Sequence, residues 1–358
     1  MKKLGTFLLF SALSVFALVV LFPACEGPQG PPGADGKNGT NGTDGTDGVD
    51  ANSFCVNCHN MENKTTITAQ FAMSSHGIGN YVSYAGGRKA CAKCHSYQGN
   101  METQLTGRDT TASDIAIPAA FQCDMCHDFH GTLDSVDFPN YALRNNKPVS
   151  LIETDHMTTI DLKGSGNACA TCHQPRTPIA AYNSSDSVEV SSTHWGGHHG
   201  PQGTILAGVG AFEPAGALAY ENSPHTDMIG CSDCHMAKNP DRTDVGGHTW
   251  VMEAADGYQN MVGCKTCHPT ATTFDVDGKQ TEINGLLEEL HQLLYEHGLY
   301  TEAGIHDGGA PVIGKYSANQ AGAIYNYILF EEDRSVGVHN YKYTKACLQN
   351  TIDMVMSW

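Results

Sequence analysis

The chain is short of positive charge: its 358 residues carry 20 Lys and Arg against 38 Asp and Glu, a formal net charge of −18 at pH 7. That balance disfavours a nucleic-acid partner and attraction to anionic membranes, and is compatible with solubility or with steering of cationic partners. Long apolar runs are also scarce. The stretch at residues 8–21, behind Lys2 and Lys3, is too short for a stable spanning helix and reads as a secretory signal. Cysteine for a disulfide framework is missing, because 12 of the 14 cysteines belong to one repeated pattern and only Cys25 and Cys347 fall outside it. Between residues 51 and 275 apolar periodicity is weak and Gly, Ser, Thr, Asn and Pro are frequent, so a conventional side-chain core is not expected there.

What that region does contain is the pattern C-x-x-C-H, written six times. The copies are Cys55, Cys58, His59; Cys91, Cys94, His95; Cys123, Cys126, His127; Cys169, Cys172, His173; Cys231, Cys234, His235; and Cys264, Cys267, His268. Two thiols at this spacing can form thioethers with the two vinyl groups of one haem, and the adjacent imidazole can turn back onto the iron. Half of a zinc site would need further ligands and no His after the second Cys, and six redox-active dithiols in one chain would be unusual. The expected cofactor is therefore six covalently bound haem c. Each porphyrin is a large apolar plate, and such plates can replace an aliphatic core. The fold class expected is mainly α with extensive loops, a multihaem cytochrome c with a haem-packed core, short helices around the motifs and little sheet.

The cysteines are expected to meet haem outside the reducing cytosol, which agrees with the signal at residues 1–24. Ala24 before Cys25 resembles the lipobox of bacterial lipoproteins, in which the cysteine becomes the lipidated first residue, although Phe22 and Pro23 depart from the commoner residues. Losing Lys2 and Lys3 with the signal takes the formal charge from −18 to −20. Glycine then recurs at every third position from Gly27 to Gly48, a collagen-like run poor in proline after Pro32. Extended, it would span on the order of 75 Å, and it reads as a stalk, with trimerisation as the second reading. The expected order is signal 1–24, anchor and stalk 25–50, hexahaem region 51–275, and a helical region 276–358 packing on the last haems. An exported outer-membrane or cell-surface lipoprotein follows.

In that last region Ile283, Leu286, Leu287, Leu290, Leu293 and Leu294 share one arc of a helix ending near Gly298. A second helix is expected over about 317–332. A third follows Asn340 as its cap, with Leu348, Ile352 and Val355 as its apolar stripe. Cys347, inside it, reads as a small buried apolar residue.

Twelve histidines lie outside the motifs, enough to close the second axial position of every iron. His76, His130, His225 and His248 are the strongest candidates, with His156 next; His130, three residues after His127, would serve a neighbouring haem rather than its own. One of His194, His198 and His199 is expected to be a ligand, with no choice among them. His291 and His297, on the leucine helix, suit packing or a propionate contact at least as well, and His306 suits solvent.

The segments SPHTDMIGCSDCHM (223–236), GGHTW (246–250) and AGAIYNYILFEEDRSVGVHNYKY (321–343) resemble the multihaem superfamily of pentahaem nitrite reductase, octahaem tetrathionate reductase and hydroxylamine oxidoreductase. The resemblance covers the last 140 or so residues and implies that His339 is a distal ligand. The nitrite and tetrathionate reductases carry a C-x-x-C-K haem with an open iron face, whereas all six motifs here end in His, and Lys265 lies inside its motif. The stretch FDVDGKQTEINGLLEELHQLL (274–294) is similar to non-catalytic extracellular electron-transfer cytochromes, some of which polymerise. The function expected is electron transfer through stacked bis-histidine haems to a redox partner or extracellular acceptor. The alternatives are a reductase or oxidase of small nitrogen or sulfur species with one open haem, and a subunit of a polymeric wire.

Overall fold

A computed structural model describes residues 59–128, 142–152, 156–177 and 187–358. The signal, Cys25, the glycine-triplet run, Cys55, Cys58 and His130 lie outside them. The described chain is mainly helical with long loops and only two short two-stranded sheets. No helix among the described residues is long and apolar enough to cross a membrane.

The first part consists of short pieces. Helix α1 (Met61–Met73) is capped by Asn60, whose side chain accepts from Glu62 and Asn63 backbone N–H, and α2 (Ser75–Ile78) follows directly with Ser74 as its cap. Then come α3 (Ala92–His95), α4 (Tyr97–Thr106), α5 (Cys123–Cys126), α6 (Ser165–Ala170), α7 (Gln202–Ala207), α8 (Pro224–Met228) and α9 (Cys231–His235). Strand β1 (Val149–Ser150) pairs antiparallel with β2 (Thr159–Ile160). Strand β3 (Val188–Val190) pairs antiparallel with β4 (Gly314–Tyr316) across a wide sequence gap, Val188 opposite Tyr316.

Three longer helices close the chain. Helix α10 (Lys279–Glu296) buries Ile283, Leu286, Leu287, Leu290 and Leu294 on one arc, and Gly298, at φ 66°, turns the chain just beyond its C-cap. Helix α11 (Ala318–Asp333) opens with a capping box in which Ser317 and Gln320 satisfy each other's backbone N–H. Helix α12 (Tyr341–Met356) is capped by Asn340 and buries Cys347, Leu348, Ile352 and Val355. These helices form the main core together with Val188, Val190, Trp195, Ile205 and Phe212, so the core draws on residues from both sides of position 275.

Two asparagines clamp loops onto that core by imitating a peptide group. Asn326 accepts from Phe212 N–H at 2.8 Å and donates to Phe212 O at 2.7 Å, and Asn350 does the same for Leu218 at 3.0 and 2.8 Å. Both are buried, so removing either amide would strand peptide groups at a cost of about 1–3 kcal/mol each. At Gly322 a Cβ would sit 2.4 Å from the Phe212 ring, which lets the 211–212 segment lie flat on α11.

Candidate functional site

Each described C-x-x-C-H motif is one turn of helix. His127, His173 and His268 donate their backbone N–H to the first cysteine of their own motif at 3.0, 2.9 and 2.8 Å, the bond of a helical turn. In the same way Cys94, Cys172 and Cys267 donate to the carbonyl three residues back, at 3.1 Å each. Spacings of three and four residues put both thiols and the imidazole on one side of that turn. The described cysteines form no disulfides. Burial pushes the thiols of Cys126 and Cys234 up to about 11. No three of His, Cys, Asp and Glu among the described residues converge as a metal cage.

The histidines meet in pairs instead. The ring of His95 faces that of His198 with centroids 6.1 Å apart, His127 faces His248 at 6.3 Å, and His173 faces His76 at 6.2 Å. His235 faces His339 at 6.2 Å and His268 faces His225 at 6.1 Å. One metal bonded to both imidazoles, with metal–nitrogen bonds of about 2.0 Å and about 1.1 Å from nitrogen to ring centre, would separate the centroids by about 6.2 Å. All five pairs have that spacing.

The ring nitrogens not needed for a metal are tied down. His173 Nδ1 donates to Gln202 Oε1 at 3.0 Å, His225 Nδ1 to Val338 O at 2.8 Å, His235 Nδ1 to Trp250 O at 2.9 Å and His339 Nδ1 to Asp333 Oδ1 at 2.6 Å. Such bonds fix the tautomer and leave Nε2 as the ligating atom. Burial pushes His76 and His248 down to about 4, with His173 and His127 adding to it, and His198 down to about 3, with Arg176 helping, so these rings stay neutral. Large apolar side chains also stand exposed around the motifs, among them Ile78, Tyr81, Ile117 and Met228. Paired imidazoles, helical-turn thiols and uncovered apolar side chains fit covalently attached haem.

Of the expected distal set, His76, His225, His248 and His339 each face a motif histidine. His156 does not: its ring Nε2 sits 2.6 Å from Asp109, its backbone is left-handed at φ 63°, and its side chain is 45% exposed. Asp109, which also binds Lys93 of the second motif at 2.9 Å, engages the His156 ring, and His198 occupies the place opposite His95. Four other histidines have different ring contacts. His199 pairs with Glu332 at 2.7 Å, His306 with Glu331 at 3.2 Å, His291 stacks on Tyr327, and His297 meets the edge of Trp358.

The faced histidines are locked by long-range contacts. Asn340 Oδ1 accepts from Ser223 N–H at 2.8 Å, Lys342 N–H donates to Ser223 Oγ at 3.0 Å, and His225 reaches Val338 O; the segments holding His225 and His339 therefore fix each other. Trp250 plays a similar part among three pairs. Its carbonyl holds His235, and its ring packs edge-on against His76 at 4.8 Å and His248 at 5.5 Å.

Spatial order differs from sequence order. Asn100 donates to Lys93 O at 2.9 Å and reaches Cys172 Sγ at 3.8 Å, joining the second motif to the fourth. Contact with Cys94, and burial after it, pushes Cys172 well above the usual thiol range. Ser165 and Ser232 hydroxyls meet at 2.6 Å and Cys231 Sγ reaches Gly166 O at 3.8 Å, joining the fourth motif to the fifth. Gly263, beside the sixth motif, leaves no room for a Cβ against Asp233 O of the fifth, at 2.5 Å. The third motif is held at the side by Gln104, which donates to Met125 O at 3.0 Å.

This architecture has a counterpart among solved structures. The crystal structure of outer cell wall cytochrome OcwA matches with a TM-score of 0.50 and 20% sequence identity, over 81% of this chain and 50% of that one. The fold resembles that of an outer cell wall cytochrome. The chain spans about half the length of that protein. No protein-family model and no curated protein matches the chain.

Proposed function

We propose that this chain is an electron-transfer protein that holds six covalently attached haems, each closed by two histidines. The observation that carries the reading is the set of five histidine pairs at one-metal spacing, 6.1 to 6.3 Å. The pairs are His95 with His198, His127 with His248, His173 with His76, His235 with His339 and His268 with His225. His59 and His130 complete the proposed ligand set. When bound, the haems supply one-electron exchange at iron, with the potential set by ligands, hydrogen bonds and burial.

The chain's own residues do the rest. The helical turns fix thiols and proximal rings, the Nδ1 bonds hold the tautomer, and the Asn100, Ser165 and Gly263 contacts join the second motif to the fourth, the fourth to the fifth and the fifth to the sixth. A second imidazole opposite five of the six motif histidines, His95, His127, His173, His235 and His268, weighs against a substrate-binding iron at those sites, and so against a nitrogen or sulfur reductase. Export, lipidation at Cys25, the stalk over residues 27–50, and delivery of electrons to a redox protein or acceptor outside the cell belong to the same proposal. A homotrimer through residues 27–50 is the second reading of the stalk, and a polymeric filament is an alternative to this proposal.

The test is low-temperature electron paramagnetic resonance of the oxidised protein, with optical spectra of the reduced form under carbon monoxide. All six haems are expected to be low-spin and indifferent to carbon monoxide. The ring planes cross at 77°, 84° and 82° in the His95, His173 and His268 pairs, and at only 35° and 37° in the His127 and His235 pairs. Crossed planes leave two iron orbitals nearly degenerate and give strongly axial signals, and smaller angles split them and give rhombic ones. Both classes should therefore appear. A high-spin haem that takes up carbon monoxide would overturn the electron-carrier reading.

A further inference from the structure

Of the four ring nitrogens tied by hydrogen bonds, three donate to neutral oxygens, and only His339 donates to a carboxylate. Asp333, at the end of α11, is almost completely buried, with its side chain 1% exposed. Its Oδ1 accepts from His339 Nδ1 at 2.6 Å, and its Oδ2 accepts a short bond from the Ser335 hydroxyl. Ser335 Oγ in turn accepts the His339 backbone N–H at 3.2 Å. The left-handed residues Arg334, Val336 and Gly337 curl the chain so that residues 333, 335 and 339 close on one another. The carboxylate also acts on His235 across the pair, so both imidazoles of this site lie in its field.

A buried carboxylate without compensating charge is expensive. Arg334 follows directly in sequence, yet no ion pair between it and Asp333 is formed; the partners of Asp333 are an imidazole and a hydroxyl. Its nearest counter-group is the His339 ring, and a metal cation on the far nitrogen would place positive charge on the other side of that ring.

We propose that Asp333 is a potential-setting residue: by drawing on the His339 Nδ1 proton it makes that imidazole a stronger donor and lowers the reduction potential of the haem on Cys231 and Cys234 below that of its neighbours. The inference rests on the bis-histidine reading of this site. Ferric iron gains more from a strong donor and a nearby negative charge than ferrous iron, so the one-electron reduction is disfavoured. The electron comes from a reduced neighbouring haem, and no proton leaves His339. Because the fifth motif lies between the fourth and the sixth, electrons would rest on its neighbours and cross it transiently.

Spectroelectrochemical titration of the intact protein tests this with Asp333→Asn and Ser335→Ala. In Asp333→Asn the amide can still accept the Nδ1 proton but carries no charge. One haem should become easier to reduce, its reduced-to-oxidised ratio at fixed potential rising about tenfold, or 59 mV for one electron, while the others stay in place. Ser335→Ala removes a donor from the carboxylate and should move the same haem the opposite way, by less. No haem-selective shift in Asp333→Asn would overturn the proposal. Should that variant fail to fold, an unchanged or more positive potential in Ser335→Ala would overturn it. His339→Gly separates this failure from that of the site itself: a new high-spin haem there upholds His339 as ligand whatever Asp333 does.

Discussion

Replacing His198 with alanine should turn one low-spin haem of the purified protein into a high-spin haem that binds carbon monoxide, and replacing His156 should change neither spin state nor carbon monoxide response. The two residues look alike in sequence, since both sit in polar loops between motifs. Their surroundings separate them. His198 faces His95 at 6.1 Å and burial holds it neutral, pushed down to about 3, so its lone pair is free for a metal. His156 is half exposed and occupied by Asp109 at 2.6 Å. Loss of an axial imidazole leaves an iron with one open face, and optical spectra of the reduced variant under carbon monoxide read that directly. The Asp109 pair is a surface contact worth at most about 1 kcal/mol, so His156→Ala should also cost little stability. A carbon monoxide complex in His156→Ala and none in His198→Ala would reverse the assignment.

The signal that distinguishes His198 was present in the chain. It follows Gly196 and Gly197 as His248 follows Gly246 and Gly247, and the two Gly-Gly-His segments are used alike. Gly196 at φ 134°, and Gly246 and Gly247 at φ 65° and 54°, take backbone conformations that other residues rarely adopt. At Gly197 a Cβ would come within 2.7 Å of Leu329, and at Gly247 within 2.4 Å of Gln70 Oε1. The glycines let a histidine loop lie tightly against a helix, which is why the ring can be aimed from a loop.

The three closing helices were legible for a different reason. Their apolar period, the Ser317 and Asn340 caps and the Gly298 turn are local features, and local features survive the passage from sequence to structure. The motif turns were legible too, because thiols at i and i+3 with an imidazole at i+4 are local geometry. The partner of each motif histidine was not, since His76 and His173 meet across nearly a hundred residues of loops. The succession of contacts from the second motif to the fourth, fifth and sixth likewise depends on pairs such as Asn100 and Cys172 that no period encodes.

A chain made without haem, by changing the motif cysteines to alanine, should lose the ordered structure of residues 59–128, 142–152 and 156–176 while keeping α10, α11, α12 and the segments packed on them. The reason is the uneven distribution of buried apolar side chains. In residues 59–128 the buried apolar residues are Ala85, Ala92 and Met125 alone. Fully burying one large apolar side chain contributes about 1.5–3 kcal/mol. Fixing each backbone residue costs about 1–2 kcal/mol. Three buried side chains, two of them alanines, cannot offset the ordering of that whole segment, and the small cluster of Leu151, Ile160, Leu162, Ala170 and Leu206 adds little. The closing helices stand differently: Ile283, Leu290, Leu294, Ile324, Leu329, Leu348, Ile352 and Val355 are all fully buried against one another. Truncating one of them, as in Leu290→Ala, should cost about 2–5 kcal/mol. Hydrogen exchange read by mass spectrometry separates the two regions in one experiment. Residues 59–128, 142–152 and 156–176 of the haem-free chain should exchange at once and residues 279–358 should stay protected. Protection of the motif region without haem would mean that side chains alone hold it, and that the apolar plates are passengers rather than its core.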